Sequence, residues 1–413
     1  MRSLLRTAES EEVKFKGIHP FPARMAPSIA LSELPSFTAT NKRMRVLDPM
    51  AGSGTTLVTA RYRGHQAYGF DTDPLACLMA ETWCANLEEN QVRKCAEDAL
   101  TKARKLYRNL RIRNAYPLNA DAETKEFIRY WFDPINRRQL RALSECIGSI
   151  KKRTVRNVLW CGFSRLIIAK SRGASWAMDL SHSRPHKVIN RPLFRPFSGF
   201  LQAINYVIKN APFNKSDSEK PRVHVRQGDA RCLPIEDGSV DMVITSPPYL
   251  NAIDYVRCNK FSLVWMGHQI TELRRLRAGN IGAEVGIEHD QENEWVKNVL
   301  QQMGHVDRLP SLNTNVVARY VLDMNSVLKE IKRVLTPGGR CILVIGDCMI
   351  RGVFIRNSMA LQSLGERHGL RVHQIKTRDL PTNRRYLPPP SFKDSGEALQ
   401  TRMRREVVLS LLR

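Results

Sequence analysis

Residues 46–56 read Val46-Leu-Asp-Pro-Met-Ala-Gly-Ser-Gly-Thr-Thr56, a short apolar run entering a glycine-bearing turn, with a helical pattern from Leu57 to Arg63 behind it. Gly52 and Gly54 let the backbone approach a ligand closely, and a helix start presents N–H groups that have no partner inside the helix. The Gly-Lys-Ser/Thr ending of a P-loop is missing. A lone Gly-x-Gly fits nucleotide-binding folds of many kinds, so the rest of the chain has to decide among them.

Outward from this turn, strand-like runs stand at Met44–Leu47, Gln66–Phe70, Val223–Arg226, Val240–Ile244, Arg340–Ile345, Arg371–Ile375 and Glu406–Leu412. Apolar runs of this length alternating with helical patterns predict an α/β fold, with a parallel sheet covered on both faces. Their spacing is uneven, because about 150 residues separate the second run from the third. The expected organisation is therefore one α/β domain built from residues 1–90 and 220–413, with a partly helical insertion at 91–219 and a smaller one at 257–315. In the large insertion, Leu87–Leu110 and Glu123–Ile150 have helical periodicity, while Ser171–Ser198, rich in Pro, Ser, Arg and His, reads as loop.

The second strand ends in Gly69-Phe-Asp-Thr-Asp-Pro74, and the third in Gln227-Gly-Asp-Ala230. An acidic side chain at such a strand end is placed to accept the ribose hydroxyls of a bound nucleoside. Three consecutive strand tips with polar groups point to one shared nucleoside crevice. The fourth strand runs into Ser246-Pro-Pro-Tyr249. Two prolines fix the backbone and donate no hydrogen bond, so the Ser246 hydroxyl and the Pro247 carbonyl can both accept from an exocyclic amine, and Tyr249 can stack on its ring. Such acceptors make an aromatic amine more nucleophilic toward a positioned electrophilic methyl group.

The 413 residues carry 65 Lys and Arg against 40 Asp and Glu, a net charge of +25. Between Thr101 and Lys215 stand 24 Lys/Arg and 6 Asp/Glu, so +18 of the excess lies in little over a quarter of the chain. Concentrated positive charge predicts a polyanionic partner, because Lys and Arg that neutralise phosphates release counterions. With 42% apolar residues the chain can bury a sizeable core, which excludes a mainly disordered basic tail. The sequence holds no stretch of about 18 apolar residues and no hydrophobic leader, so a cytoplasmic protein without membrane contact is expected. Nine cysteines occur singly, with no CxxC pair, and are expected to be reduced and without metal.

At these motifs the chain resembles the amino-directed, site-specific DNA methyltransferases of bacteria and archaea, in their SPPY form. The likeness covers nearly the whole length. It implies a Rossmann-like S-adenosylmethionine-dependent methyltransferase fold, here with the large basic insertion between strands two and three. It implies S-adenosylmethionine as cofactor, double-stranded DNA as partner, base flipping, and room for a cognate restriction enzyme. By the same resemblance, Asp48, Pro49, Ala51, Gly52, Ser53, Gly54 and Thr55 contact the methionine part of the cofactor, Asp71 with Thr72 holds the ribose, and Asp229 with Ala230 faces the adenine. His19-Pro20-Phe21, in His19-Pro-Phe-Pro-Ala-Arg-Met-Ala-Pro27, is similar to the segment that walls the methionine site. Ser246, Pro247, Pro248 and Tyr249 correspond to the catalytic loop. Ser in its first position implies cytosine N4; Asp or Asn there is the usual form for adenine N6.

Asn251-Ala-Ile-Asp254-Tyr255 and Leu335-Thr-Pro-Gly-Gly339 also fit, and the blocks Ser171–Ser175 and Ser181–His186 resemble one bacterial branch of modification methylases. Lys170, Arg172, His182, Arg184, Lys187, Asp254 and Tyr255 are the expected nucleic-acid contacts. The insertion lies between strands two and three rather than between the two halves of the motif order, so charge, not order, marks 91–219 as the first candidate for the recognition region, with the shorter insertion after Asp254 as the second. Cytosine C5 chemistry is disfavoured, since no Pro-Cys dipeptide is present. An N6-adenine enzyme, an RNA base-amine methyltransferase and a non-catalytic DNA-binding relative are the competing readings.

Overall fold

Seven strands pair into one sheet in the computed structural model of the protein, which describes residues 15–20, 24–169, 173–178, 185–189, 194–250, 254–283, 293–380 and 405–413. They are β1 (Arg45–Asp48), β2 (Gln66–Asp71), β3 (Val223–Gln227), β4 (Val240–Thr245), β5 (Leu335–Ile345), β6 (Arg371–Asp379) and β7 (Arg405–Leu412). Each run expected to be a strand is one. In space the order is β6-β7-β5-β4-β1-β2-β3. β1 to β5 pair in parallel, whereas β7 lies antiparallel to both β5 and β6. The all-parallel expectation thus needs correcting at one strand, because an apolar run carries no sign of its direction.

Neighbouring residues of the central strands face opposite ways, as a pleat requires. Val46, Ile244, Ile342 and Val344 belong to one apolar cluster, and Leu47, Val243, Leu343 and Ile345 to the other. Helices Glu294–Met303, Ser311–Val334 and Asn357–Arg367 cover the second face. The first face is covered by helices Thr55–Tyr62 and Pro74–Trp83, and then by a thick helical layer from the basic segment: Glu89–Asn109, Pro134–Gly148, Arg153–Ile167 and Pro196–Asn210. That layer shares one continuous core with the sheet.

The expected helix Glu123–Ile150 is broken into Ala122–Trp131 and Pro134–Gly148. Asp133 takes extended backbone there and accepts the Ile135 and Asn136 N–H groups as the cap of a new helix with proline in its first turn. Within 171–198, the described residues include a two-residue ribbon, Ala177–Met178 against His186–Lys187. All nine cysteines are free thiols. Among the described residues no helix is long and apolar enough to cross a membrane, and no group of three or more acidic, His or Cys side chains is arranged to hold a metal.

Candidate active site

The chain lays down β1, β2 and β3 in one direction and then returns to place β4 on the other side of β1, so the sheet switches direction between β1 and β4. A crevice opens outside the carboxyl ends of strands at such a point. Register fixes what meets there. Leu47 pairs with Val243, Asp48 with Gly69 and Asp71 with Gln227, so the glycine turn, the Gly69–Pro74 segment and the Ser246 loop all lie along one edge.

The turn after β1 is held mainly by backbone. Ala51 N–H donates to the Phe70 carbonyl (2.8 Å), Gly52 N–H to Asp71 Oδ2 (2.8 Å) and Met50 N–H to Asp48 Oδ1 (3.2 Å). Gly54 begins the helix Thr55–Tyr62 with φ of 91°. A Cβ there would lie 2.8 Å from Ala80 Cβ and 2.9 Å from its Cα, so helix Pro74–Trp83 leaves room for glycine only. Two hydroxyls in this turn, those of Ser53 (8% exposed) and Thr55 (4%), have no hydrogen-bond partner among the described residues. Buried polar atoms are normally satisfied, so two unpartnered hydroxyls in one turn set it apart from an ordinary strand-to-helix connection.

Asp71 also accepts the Asp73 N–H at Oδ1 (2.9 Å). Asp73 caps helix Pro74–Trp83 through Leu75 N–H (2.8 Å) and accepts Asn259 Nδ2 at 2.5 Å. Burial pushes all three carboxyls, Asp48, Asp71 and Asp73, up to about 6, and their mutual proximity adds to this at Asp71 and Asp73. The sign of the pH dependence follows. Below about pH 4 these acids are protonated whether the chain is folded or not. Between about 4 and 6 the unfolded chain ionises while the folded one keeps its protons, so folding stability falls as pH rises through that window and levels above it. Urea unfolding of Asp48→Asn alongside the parent should show a shallower fall between pH 4 and 6 in the variant; superimposable profiles would remove Asp48 from this account.

Thr72 donates its hydroxyl to Asn280 Oδ1 (3.1 Å), and its carbonyl accepts Gln227 Nε2 (2.9 Å). Asp229 is engaged by Arg231, whose guanidinium also reaches Asp323 (2.6 Å) and the Gly279 carbonyl (2.7 Å). Ala230 beside it is buried. The Gly279–Asn280 segment is therefore tied to the tips of β2 and β3.

At the end of β4, Ser246 Oγ donates to the Val344 carbonyl of β5 (3.0 Å), which leaves its lone pairs as acceptors. Pro247 is buried and Pro248 half-buried. The Tyr249 hydroxyl donates to Glu406 Oε1 on β7 (3.3 Å), and burial, followed by the Glu406 charge, pushes its ionisation well above the ordinary phenol range.

The other expected residues that are described have these surroundings. His19 is buried, with Nε2 2.9 Å from Ser164 Oγ, which in turn bonds Ser262 Oγ (2.9 Å); burial lowers it to about 3, so its ring is neutral. Pro20 is half-buried beside it. Lys187 places its ammonium over the rings of Tyr130 (4.0 Å) and Trp176 (4.8 Å). Asp254 caps helix Tyr255–Leu263 and pairs with Arg257 and Arg277. Phe21, Lys170, Arg172, His182 and Arg184 lie outside the described residues. Sequence reading missed Asp73, Asn259, Asn280, Arg231 and Glu406. Asp73 before Pro74 carried the signal of a helix cap, and Arg231 stands two residues after Asp229, whereas Asn259, Asn280 and Glu406 arrive from distant segments with no local mark.

The strand order, the reversed β7 and the polar tips at the switch point define a Rossmann-like α/β fold. Among characterised proteins, the chain is similar to the type II methyltransferase M.MvaI of Kocuria varians, 22% identical over 396 residues, covering 89% of this chain and 84% of that protein. It is likewise similar to M.MjaII of Methanocaldococcus jannaschii (21% over 407 residues; 78% and 75%) and to M.AvaI of Nostoc sp. (25% over 384 residues; 82% and 75%), both type II methyltransferases. A solved methyltransferase of Methanosarcina mazei aligns over 92% of this chain and 99% of its own, at 9% identity and a TM-score of 0.33. No protein-family model matches the chain.

Proposed function

We propose that the protein is a site-specific DNA methyltransferase that transfers a methyl group from S-adenosylmethionine to the exocyclic N4 amine of cytosine. The observation that carries this is the pairing of β1 with β4, which sets the Ser246-Pro-Pro-Tyr249 loop beside the glycine turn with its two unsatisfied hydroxyls. The similarity to type II methyltransferases supports the reading.

The donor set suits the cofactor. Ser53, Thr55 and the N–H groups that start helix Thr55–Tyr62 would hold its amino-acid end near Asp48, and Asp71 its ribose. When bound, S-adenosylmethionine supplies an electrophilic methyl group on a sulfonium. The chain's own part is to present the amine. Ser246 Oγ, whose O–H donates to the Val344 carbonyl, and the Pro247 carbonyl accept hydrogen bonds from the amine N–H groups and draw its ring-delocalised lone pair back onto nitrogen, and the proton shed by the methylated nitrogen passes to solvent. Tyr249 stacks on the base, which has to leave the duplex to reach the strand tips. The 91–219 layer, rich in Lys and Arg, supplies phosphate contacts. Cofactor affinity should rise as pH climbs through about 6 and Asp71 ionises, opposite in sign to the stability of the cofactor-free protein.

Digestion of DNA methylated by the purified protein to nucleosides is the test, with N4-methylcytosine the expected product. N6-methyladenine alone would overturn the part assigned to Ser246 and leave the cofactor assignment standing. Methylation of RNA and not DNA would overturn the substrate.

A further inference from the structure

A groove of about 450 Å³ opens between the two insertions. It is lined by helices Tyr255–Leu263 and Ile270–Ala278, by Trp131 at the end of helix Ala122–Trp131, and by Pro185. Four cations line it: Arg257, Lys260, Arg274 and Arg277. Among the described residues, Asp254 pairs with both Arg257 and Arg277, and Glu123 with Arg274. Four cations lining one concave site make a standing attraction for an anion. Burial, then repulsion from Arg277, lowers the Lys260 ammonium, as expected where cations are crowded together. The walls between the charges are aromatic: Trp131 meets Phe261 edge to face at 5.0 Å, and Lys260 lies over Phe127. Helix Tyr255–Leu263 also carries Asn259, which is bonded to Asp73 at the tip of β2, so groove and crevice share this helix.

We infer that this groove binds the DNA strand next to the target base, with a backbone phosphate against Lys260, Arg274 and Arg277 and a neighbouring base on Trp131. The inference rests on the DNA-methylating reading and gives it particular contact residues, Trp131 and, in the segment after Asp254, Lys260, Arg274 and Arg277, that the sequence did not single out. Charge and ring faces together are the combination that single strands need, because phosphates are neutralised while bases of any identity stack.

The test uses the full chain and a mixed-sequence single-stranded DNA oligonucleotide carrying a fluorophore, titrated across salt concentrations. Lys260→Met, which keeps the apolar stem, combined with Arg274→Ala should weaken binding about tenfold near 0.1 M salt and lower the log–log salt slope by about 0.7 for each phosphate no longer neutralised. Trp131→Ala should weaken it roughly tenfold, and Trp131→Phe far less. Cofactor affinity, measured by calorimetry on each variant, should stay at the parent value and so report that the fold is intact. Lys297→Ala with Lys329→Ala, an equal charge change at exposed sites on the other face of the sheet, should leave the slope nearly unchanged. Parental affinity and slope in the groove variants, while the parent protein methylates DNA, would overturn the groove and leave the reading standing. Equal losses in the control pair would overturn it too, since the effect would then be net charge alone. Displacement of the oligonucleotide by inorganic phosphate at equal phosphate concentration would show a free-anion site and overturn the strand assignment. A parent that methylates no DNA would instead remove the reading on which the groove depends.

Discussion

Asp71→Ala is expected to weaken S-adenosylmethionine binding by roughly 2–5 kcal/mol, about thirtyfold or more, for two reasons that act together. On the proposed reading the carboxylate accepts the ribose hydroxyls, and losing that pairing accounts for roughly 1–3 kcal/mol. The same carboxylate already accepts the N–H groups of Gly52 and Asp73, so its removal also frees the turn that shapes the crevice. Thermal stability should change less than affinity. Asp71 is half-buried, and deleting it relieves the desolvation of a carboxylate while taking an acceptor from two amides. Asp71→Asn keeps the shape but turns an NH2 toward one of those donors, so it should fall between parent and Ala. Calorimetric titration of the three proteins at pH 7.5, above about 6 where the parental carboxyl is ionised, is the measurement. Equal cofactor affinities would take Asp71 out of the site.

Tyr249→Ala should slow methyl transfer by roughly 1–3 kcal/mol of lost base stacking, about five- to a hundredfold in kcat/KM, with cofactor affinity nearly unchanged. Tyr249→Phe separates ring from hydroxyl. It keeps the stacking face and should retain most of the rate. The tyrosine hydroxyl, however, spans from the β4 loop to Glu406 on β7, so the Phe variant should unfold at lower temperature, by the equivalent of about 1 kcal/mol for a lost hydrogen bond. Steady-state kinetics with the two variants, and their melting curves, test both halves. A Phe variant as slow as the Ala variant would assign the function to the hydroxyl and discard stacking.

Much of the fold was legible because the signals are local. Val46–Leu47, Val243–Ile244 and Ile342–Ile345 are continuous apolar runs, as strands buried on both faces demand, and Gly54 stands where only glycine fits. The break at Phe132–Asp133 was legible in principle, since Asp-Pro is a helix start, but the periodicity on either side concealed it. The direction of β7 was not. Nor could spacing reveal that Arg231 reaches Asp323 and the Gly279 carbonyl, or that His19 is bonded to Ser164, because those partners come from elements that local pattern cannot pair.

Order along the chain was enough to specify seven strands, the glycine turn after the first, acidic side chains after the second and third, a Ser-Pro-Pro-Tyr loop after the fourth, and a concentration of positive charge between the second and third. These are properties of neighbours, set by backbone sterics and side-chain period. Folding in three dimensions was needed to put β4 beside β1, Glu406 within reach of Tyr249, Asn280 against Thr72, and Trp131 with Lys260 and Arg274 in the lining of one groove. Each of these joins residues far apart in sequence, and such contacts form only when both faces of the sheet are buried and the helical layers settle against them, a condition set by the packing of the whole core.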